Sequence, residues 1–133
     1  MFLLAANDFI SLALALVIGG GLGLLIAKRK KFDFSKIIYL KSEEFRLNMR
    51  RGQLIDIRSE ENFTKEKING ARNFPKNSVL SKLNVMRTDQ PIFIYDEYNT
   101  KRVTNLARKL IKKGYQPIYI LADGLHDWPY PKK

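Results

Sequence analysis

PIFIYDEYNTKR, residues 91–102, is the stretch of sequence that decides the fold. Its first part, Pro91–Tyr95, is a short apolar run typical of a strand buried in a parallel sheet. A polar loop follows, and then a segment from Lys101 to Lys113 that Gly114 ends. The apolar residues of that segment recur at i, i+3, i+4, i+7 and i+8, which predicts an amphipathic helix: Val103, Leu106, Ala107, Leu110 and Ile111. A strand, a tight loop and a helix in this order predict one unit of an α/β domain.

The rest of the chain repeats this alternation. Three further apolar runs predict strands: Ile37–Leu40, Leu54–Ile57 and Pro117–Leu121. Ser42 is predicted to cap a helix that Gly52 closes near its C-terminus. Strands that alternate with helices predict a mostly parallel central sheet flanked by helices.

Four segments occur in an order that resembles a known family. They are LIDIR at 54–58, INGARNFP at 68–75, DEYNTKR at 96–102 and GLHDW at 124–128. They are similar to the LIDVR, HIxGAxNIP, CxxGxRS and GGxxxW signatures of rhodanese-like domains, and the resemblance covers about residues 35 to 129. It implies a rhodanese-like α/β domain over 35–129.

The active loop departs from the family pattern. The resemblance places Asp96 on the cysteine, Asn99 on the glycine, Lys101 on the arginine and Arg102 on the serine. In rhodaneses this cysteine carries sulfur from donor to acceptor, but the present chain has no cysteine and therefore cannot form a persulfide on itself. The active-loop equivalents in this sequence are Asp96, Glu97, Tyr98, Asn99, Thr100, Lys101 and Arg102.

The loop residues are expected to keep the shape and the negative charge of the rhodanese active loop without its ability to transfer sulfur. In the family, backbone N–H groups form a cradle around the cysteine, and the Asp96 carboxylate is predicted to fill this cradle as a helix cap would. Asn99 is expected to take the left-handed backbone that a glycine would allow. Glu97 adds a negative charge that repels anionic substrates, whereas Lys101 and Arg102 offset it.

Residues outside the loop are expected to support it. Asp56 and Arg58 are predicted to brace the loops beside the site, and Trp128 to pack against the final helix. His126 is expected on the surface, because the chain offers no second His or Cys to share a metal. The sequence therefore predicts no metal site and no cofactor.

Residues 9–27 form a run of 19 residues without a charge. As a helix the run would be about 28 Å long, close to the hydrocarbon thickness of a bilayer. A cleaved signal peptide is the alternative, but it needs a basic segment before the apolar run, and here the bases Lys28, Arg29, Lys30 and Lys31 follow it. The sequence predicts a single-pass anchor in the cell membrane, with the N-terminus outside and the domain cytoplasmic.

The predicted organisation has five parts: a short extracytoplasmic N-terminus (1–8), a transmembrane helix (9–27), a basic juxtamembrane linker (28–34), the domain (35–129) and a C-terminal tail (130–133). Lys28–Lys31 are expected to meet anionic headgroups. Small residues recur every fourth position of the span, which predicts self-association through Ala15, Gly19, Gly23 and Ala27.

The chain has a high positive net charge, which raises the question of whether it binds nucleic acid. The chain carries +11, and residues 34–133 hold 20 basic against 11 acidic side chains, a net charge of +9. No helix-turn-helix, zinc knuckle or aromatic RNA-binding platform is visible, which argues against nucleic acid as the partner. The function predicted from the sequence is a catalytically inactive rhodanese-like module that binds a protein at the membrane. The alternative is a sulfur-relay component whose thiol comes from a partner.

Overall fold

The structure is a computed structural model that describes residues 31–133, with Lys76 described only through its backbone. The predicted span at 9–27 and its small-residue stripe lie outside the described residues. Within residues 31–133, no helix is both long and apolar enough to cross a membrane.

A five-stranded parallel sheet forms the centre of the domain. Its strands are β1 (Ile37–Leu40), β2 (Gln53–Asp56), β3 (Arg72–Asn73), β4 (Ile92–Tyr95) and β5 (Ile118–Leu121). They lie in the order β1-β5-β4-β2-β3, and all four pairings are parallel. The predicted fold class, a parallel sheet flanked by helices, is confirmed. Of the five strands, only β3 was not predicted, because a strand of two residues is too short to produce an apolar pattern.

Four α-helices surround the sheet: α1 (Ser42–Asn48), α2 (Glu60–Lys65), α3 (Lys76–Val79) and α4 (Lys101–Lys112). Short 3-10 helices cover Phe34–Lys36, Met49–Arg51, Leu80–Val85 and Leu125–Asp127. Helix α4 buries the five apolar residues that the sequence pattern identified. It ends before Gly114, whose φ of +95° is a conformation that glycine adopts without strain.

Two hydrophobic cores form, one on each side of the sheet. The first joins α4 and the segment around Val79 to β2, β4 and β5. The second joins Phe45 of α1 to Phe93, Leu121 and Trp128. Trp128 therefore packs against α1, with its ring 6.1 Å from that of Phe45, and not against the final helix α4. The prediction for Trp128 was wrong because sequence order does not reveal which side of the sheet the chain reaches after β5.

The start of α1 also differs from its prediction. Lys41 holds the N-cap position without a side-chain hydrogen bond, and Ser42 is already the first helical residue. Gly52 follows the 3-10 helix Met49–Arg51 in an extended conformation. A Cβ at Gly52 would lie 2.4 Å from the Pro91 carbonyl oxygen, so the glycine permits close packing.

The C-terminal residues lie against the domain. The Tyr130 ring lies 5.0 Å from Trp128, and the Lys133 backbone N–H donates to the Lys67 carbonyl at 2.8 Å. The predicted tail 130–133 is thus in contact with the second core.

Candidate functional site

The site is built where β2 and β4 end. These strands are paired, with Asp56 opposite Tyr95, so the loops that follow them leave the sheet side by side. The carboxyl edge of a parallel sheet is where α/β domains place ligand sites. This register brings Asp56 and Arg58 next to the 96–102 loop, although about 40 residues separate them in the sequence.

Asp96 is nearly inaccessible, with 2% of its surface exposed. Its carboxylate accepts the Glu97 backbone N–H at 2.7 Å and the Thr100 hydroxyl at 3.0 Å. The Arg102 guanidinium binds both carboxylate oxygens, with Nη2 2.6 Å from Oδ1 and Nε against Oδ2. The prediction that several backbone N–H groups surround the Asp96 carboxylate was therefore wrong. One backbone N–H reaches the carboxylate, and side chains supply the remaining donors.

The protonation of Asp96 is set by opposing effects. Burial raises the pKa of its carboxyl group, but the hydrogen bonds from Arg102, the Glu97 N–H and Thr100 outweigh burial and hold that pKa below its usual value. The same ion pair raises the pKa of the Arg102 guanidinium. Asp96 is therefore a paired anion at neutral pH.

A second ion pair lies beside the first and is buried more deeply. Asp56 is fully buried and Arg58 is 4% exposed. The Arg58 side chain donates from Nη2 to Asp56 Oδ2 at 2.8 Å and from Nε to both Asp56 oxygens. Nη1 donates to Glu97 Oε2 at 3.0 Å, and Nη2 also contacts the Glu66 carbonyl. Arg58 thus joins the end of β2 to the 96–102 loop.

The charge state of Arg58 follows from these contacts. Burial lowers the pKa of its guanidinium, but the hydrogen bonds and charge of Asp56 outweigh burial and raise the pKa above its ordinary value. Each acid of the site therefore faces an arginine: Asp56 and Glu97 face Arg58, and Asp96 faces Arg102.

Two supporting residues were missed by sequence reasoning. Asn73 of β3 donates its amide to the carbonyls of Asp56 (3.2 Å) and Arg58 (3.0 Å). The buried Tyr95 hydroxyl accepts the Ile68 N–H at 3.2 Å, and burial together with the nearby Asp56 carboxylate raises the pKa of that hydroxyl. The signal for Asn73 was its place inside the 68–75 motif, since the asparagine there has no role in an apolar pattern.

Gly124 holds the other side of the loop. Its φ is +73°, and a Cβ would lie 2.5 Å from the Glu97 carbonyl oxygen. The next two backbone N–H groups donate into the loop, Leu125 to the Asp96 carbonyl and His126 to the Glu97 carbonyl, both at 2.9 Å. The chain after β5 therefore fixes the backbone of residues 96 and 97.

The remaining loop residues face solvent. Tyr98 is 54% exposed, and its ring lies 5.0 Å from the exposed His126. Asn99 and Lys101 are also exposed. Within residues 31–133 no residue other than glycine has a positive φ, so the left-handed conformation expected for Asn99 was wrong. The loop turns without it, since Asp96 and Gly124 provide the contacts that set its shape.

These contacts limit the chemistry of the site. The buried carboxylate at position 96 is engaged by an arginine and a hydroxyl, and the full chain contains no thiol. Among the described residues, His, Asp and Glu nowhere gather in a group that could hold a metal ion. A carboxylate can accept a phosphoryl group or act as a base, but here its oxygens are turned toward their donors inside the domain.

Comparison with known proteins identifies similar sequences over most of the domain. The family model described as Rhodanese-like domain matches residues 41–129. The Bacillus subtilis protein YqhL is 39% identical over 89 residues, which are 67% of this chain and 70% of that protein.

Solved structures share the fold. A rhodanese-related protein from Thermoplasma volcanium superposes with a TM-score of 0.66 at 16% identity, covering 72% of this chain and 97% of the other. A rhodanese-like domain protein from Staphylococcus aureus gives a TM-score of 0.62 at 18% identity, over 68% of this chain and 90% of the other. CoADR-RHD from Bacillus anthracis gives 0.61 at 24% identity, over 68% of this chain but 16% of that one.

Proposed function

Since this chain belongs to the rhodanese-like domain family, we propose that it is a catalytically inactive member of that family, anchored in the cell membrane, that binds a partner protein on the cytoplasmic face. One observation carries the proposal: Asp96, which the sequence resemblance places at the family's cysteine, is a buried carboxylate bound by Arg102 and Thr100 in a chain without any cysteine. Sulfur transfer needs a nucleophile that is soft and accessible. Asp96 is neither.

The charges of the site support this proposal. Thiosulfate and phosphate are anions, and a loop that binds them has to offer unpaired positive charge or N–H groups. Here Arg102 and Arg58 are each already bound to carboxylates of the site, and the remaining base of the loop, Lys101, is exposed at the start of α4. An anion that binds to Arg102 or Arg58 would have to displace Asp96 or Glu97, whose negative charges also repel it.

The tip of the loop supports a binding role. Tyr98 stands on a backbone that Gly124, Leu125 and His126 hold in place, and more than half of its surface is exposed. Exposed tyrosines on ordered loops are frequent anchors of protein–protein interfaces, because they contribute a large area at a low entropic cost. We therefore place the partner contact at Tyr98 and His126.

The membrane anchor is part of the proposal and rests on the sequence. The uncharged run 9–27 followed by Lys28–Lys31 supports a single span with the domain in the cytoplasm. A reporter fused to the C-terminus should be active only when it is of the type that works in the cytoplasm. Activity of an exported reporter at the same position would refute the orientation.

The enzymatic part is tested with the full chain in lipid nanodiscs. We expect no conversion of thiosulfate and cyanide to thiocyanate above the rate in buffer, and none after Asp96→Cys, because Lys101 and Arg102 still depart from the family's Arg and Ser. Turnover by the unmodified chain, alone or after addition of a thiol-bearing partner, would refute the inactive module and support the alternative, a sulfur-relay component. Turnover by Asp96→Cys alone would show that one substitution had silenced an intact site.

The binding part is tested in cells. A photo-crosslinking amino acid at position 98 should capture a discrete partner, whereas the same group at Leu47, which is 62% exposed on α1, should not. Equal capture at both positions would remove the loop tip from the interface.

A further inference from the structure

Helix α4 presents a surface of one charge sign to solvent. Its sequence KRVTNLARKLIK contains no Asp or Glu. Five exposed bases on α4 and the residue after it define what we call the α4 basic face: Lys101, Arg108, Lys109, Lys112 and Lys113. Within residues 31–133, none of the five lies within 4.0 Å of an acidic side chain, whereas Arg58, Arg87 and Arg102 all do. The face therefore carries uncompensated positive charge.

Two exposed aromatic side chains border this face. Phe32 and Phe34 are 38% and 40% exposed, and their rings lie 6.5 Å apart. The Arg108 guanidinium lies 5.8 Å from the centre of the Phe34 ring, which connects the aromatic pair to the α4 basic face. Bases beside exposed aromatic rings are the combination with which proteins meet the headgroup region of an anionic bilayer.

The opposite side of the sheet has a different character. Helix α1, which packs on the second core, carries the exposed acids Glu43 and Glu44 in its first turn, and exposed bases lie in or beside the same helix: Lys41, Arg46, Arg50 and Arg51. Charges of both signs are therefore mixed on that side of the sheet, whereas α4 carries bases and no acid. A negatively charged flat surface would meet two acids at α1 and none on α4.

The position of the aromatic pair in the chain identifies the partner. Phe32 is the fifth residue after Ala27, the last residue of the uncharged run, and five extended residues reach at most about 18 Å. If the run spans a bilayer, Phe32 and Phe34 are therefore held within reach of the headgroups. We infer that the α4 basic face, together with Phe32 and Phe34, docks on the anionic lipid surface beside the anchor. This inference rests on the anchor of the proposed function.

Docking would orient the domain. With α4 on the lipid, α1 and the second core face the aqueous phase, because they lie on the other side of the sheet. Each base near an anionic surface shifts the docking equilibrium by about fivefold, so three of them contribute on the order of a hundredfold. The attraction is screened within a Debye length, about 8 Å at physiological salt, and is weakened by added salt.

The chain's lack of cysteine makes a direct test possible, since one introduced cysteine gives one label. A fluorophore sensitive to its environment is attached to full-length Asn105→Cys, on the exposed side of α4, or to Leu47→Cys, on α1. Each chain is placed in nanodiscs of phosphatidylcholine, with or without about 30 mol% phosphatidylglycerol, that carry a nitroxide quencher on the lipid. We expect at least about threefold stronger quenching at 105 in the anionic discs, reversed at about 0.5 M salt, and no change at 47.

Matched charge variants separate a specific face from net charge. Arg108→Gln, Lys109→Gln and Lys112→Gln together should lower the ratio of docked to undocked domain on the order of a hundredfold. The control removes the same charge from exposed bases in or beside α1: Lys41→Gln, Arg50→Gln and Arg51→Gln. It should leave quenching at 105 close to that of the unmodified chain.

The outcomes distinguish this inference from the proposed function. A chain that does not stay with the discs refutes the anchor. A chain that stays, but shows equal quenching at 105 and 47 or equal losses in the two triple variants, overturns docking and leaves the anchor standing. Docking is also overturned if position 105 becomes protected only when duplex DNA or an acidic protein is added, because the basic face then serves that partner.

Discussion

Arg58→Met should destabilise the domain more than any substitution of an exposed charge. The replacement removes all side-chain hydrogen bonds to Asp56, whose side chain is fully buried, and leaves that carboxylate with the Arg58 backbone N–H at 2.8 Å. An ion pair broken on one side in such surroundings costs about 3–5 kcal/mol, because the remaining charge is buried without its partner. A domain of this size has a total stability of about 5–15 kcal/mol, so this is a large fraction.

The reciprocal change should cost less. After Asp56→Leu, Arg58 still reaches Glu97 Oε2 and the Glu66 carbonyl, so we expect a loss of about 3 kcal/mol. The double variant Asp56→Leu/Arg58→Met removes both charges at once and should be no less stable than Arg58→Met alone. The coupling energy in this double-mutant cycle should therefore be at least the cost of Asp56→Leu alone, about 3 kcal/mol.

The assay is urea unfolding of residues 32–133, the compact unit that contains the sheet. Trp128 is the only tryptophan of the chain and is 5% exposed, so its fluorescence reports unfolding. With a urea dependence of about 2 kcal/mol per molar, Arg58→Met should lower the midpoint by about 2 M.

A surface ion pair provides the control. Arg87 pairs with Asp89 at 2.6 Å, but both side chains are more than 60% exposed, and Arg87→Met should cost less than about 1 kcal/mol. Equal midpoint shifts for Arg58→Met and Arg87→Met, or strictly additive effects of the two buried substitutions, would refute the argument from burial.

Three further predictions concern the loop and the membrane run. Asp96→Ala should cost about 1–2 kcal/mol near pH 7, the loss of a cap with a charged partner. Because folding lowers the pKa of Asp96, its carboxylate contributes fully to stability above the unfolded pKa, and this contribution disappears as the pH falls through the folded pKa. The urea midpoints of the two proteins should therefore approach each other as the pH is lowered into and below the usual range of an aspartate, and parallel pH profiles would contradict the pairing with Arg102. Gly124→Ala should lower the stability of the domain more than Gly114→Ala in the same urea melts. Both glycines have a positive φ, but only at Gly124 would a Cβ contact backbone, 2.5 Å from the Glu97 carbonyl oxygen. Equal losses of stability would mean that the loop moves to make room for the Cβ. Replacing Gly19 and Gly23 by Ile should weaken self-association of the 9–27 run in a membrane two-hybrid assay more than replacing Leu12 and Leu16 by Ile. Identical signals from the two variants would mean that the small residues do not form a packing face.

The sequence was sufficient to predict β1, β2, β4, β5 and α4, because the signals for these elements are local. Apolar runs of four or five residues and a helical period of apolar side chains are written into consecutive positions, and the strands of residues 37–40, 53–56, 92–95 and 118–121 lie within one residue of their predicted places. The loop 96–102 could be located for the same reason, since it follows a buried strand and precedes an amphipathic helix.

Local patterns failed where a residue's role depends on a distant neighbour. Trp128 could not be assigned to α1, because its contact with Phe45 spans most of the domain. The left-handed turn predicted at Asn99 is absent because the glycine with positive φ that shapes the loop, Gly124, comes from the chain after β5.

The sequence by itself determined that this protein has an α/β domain of the rhodanese-like family and no thiol with which to transfer sulfur. Only the tertiary structure decided what the charges of the loop do. Arg58 and Glu97 are 39 residues apart and meet because β2 and β4 are neighbours in register, while Asp96 turns inward to Arg102. Charge type is a property of single residues, but an ion pair depends on which strands lie side by side, and that is set by the packing of the whole sheet.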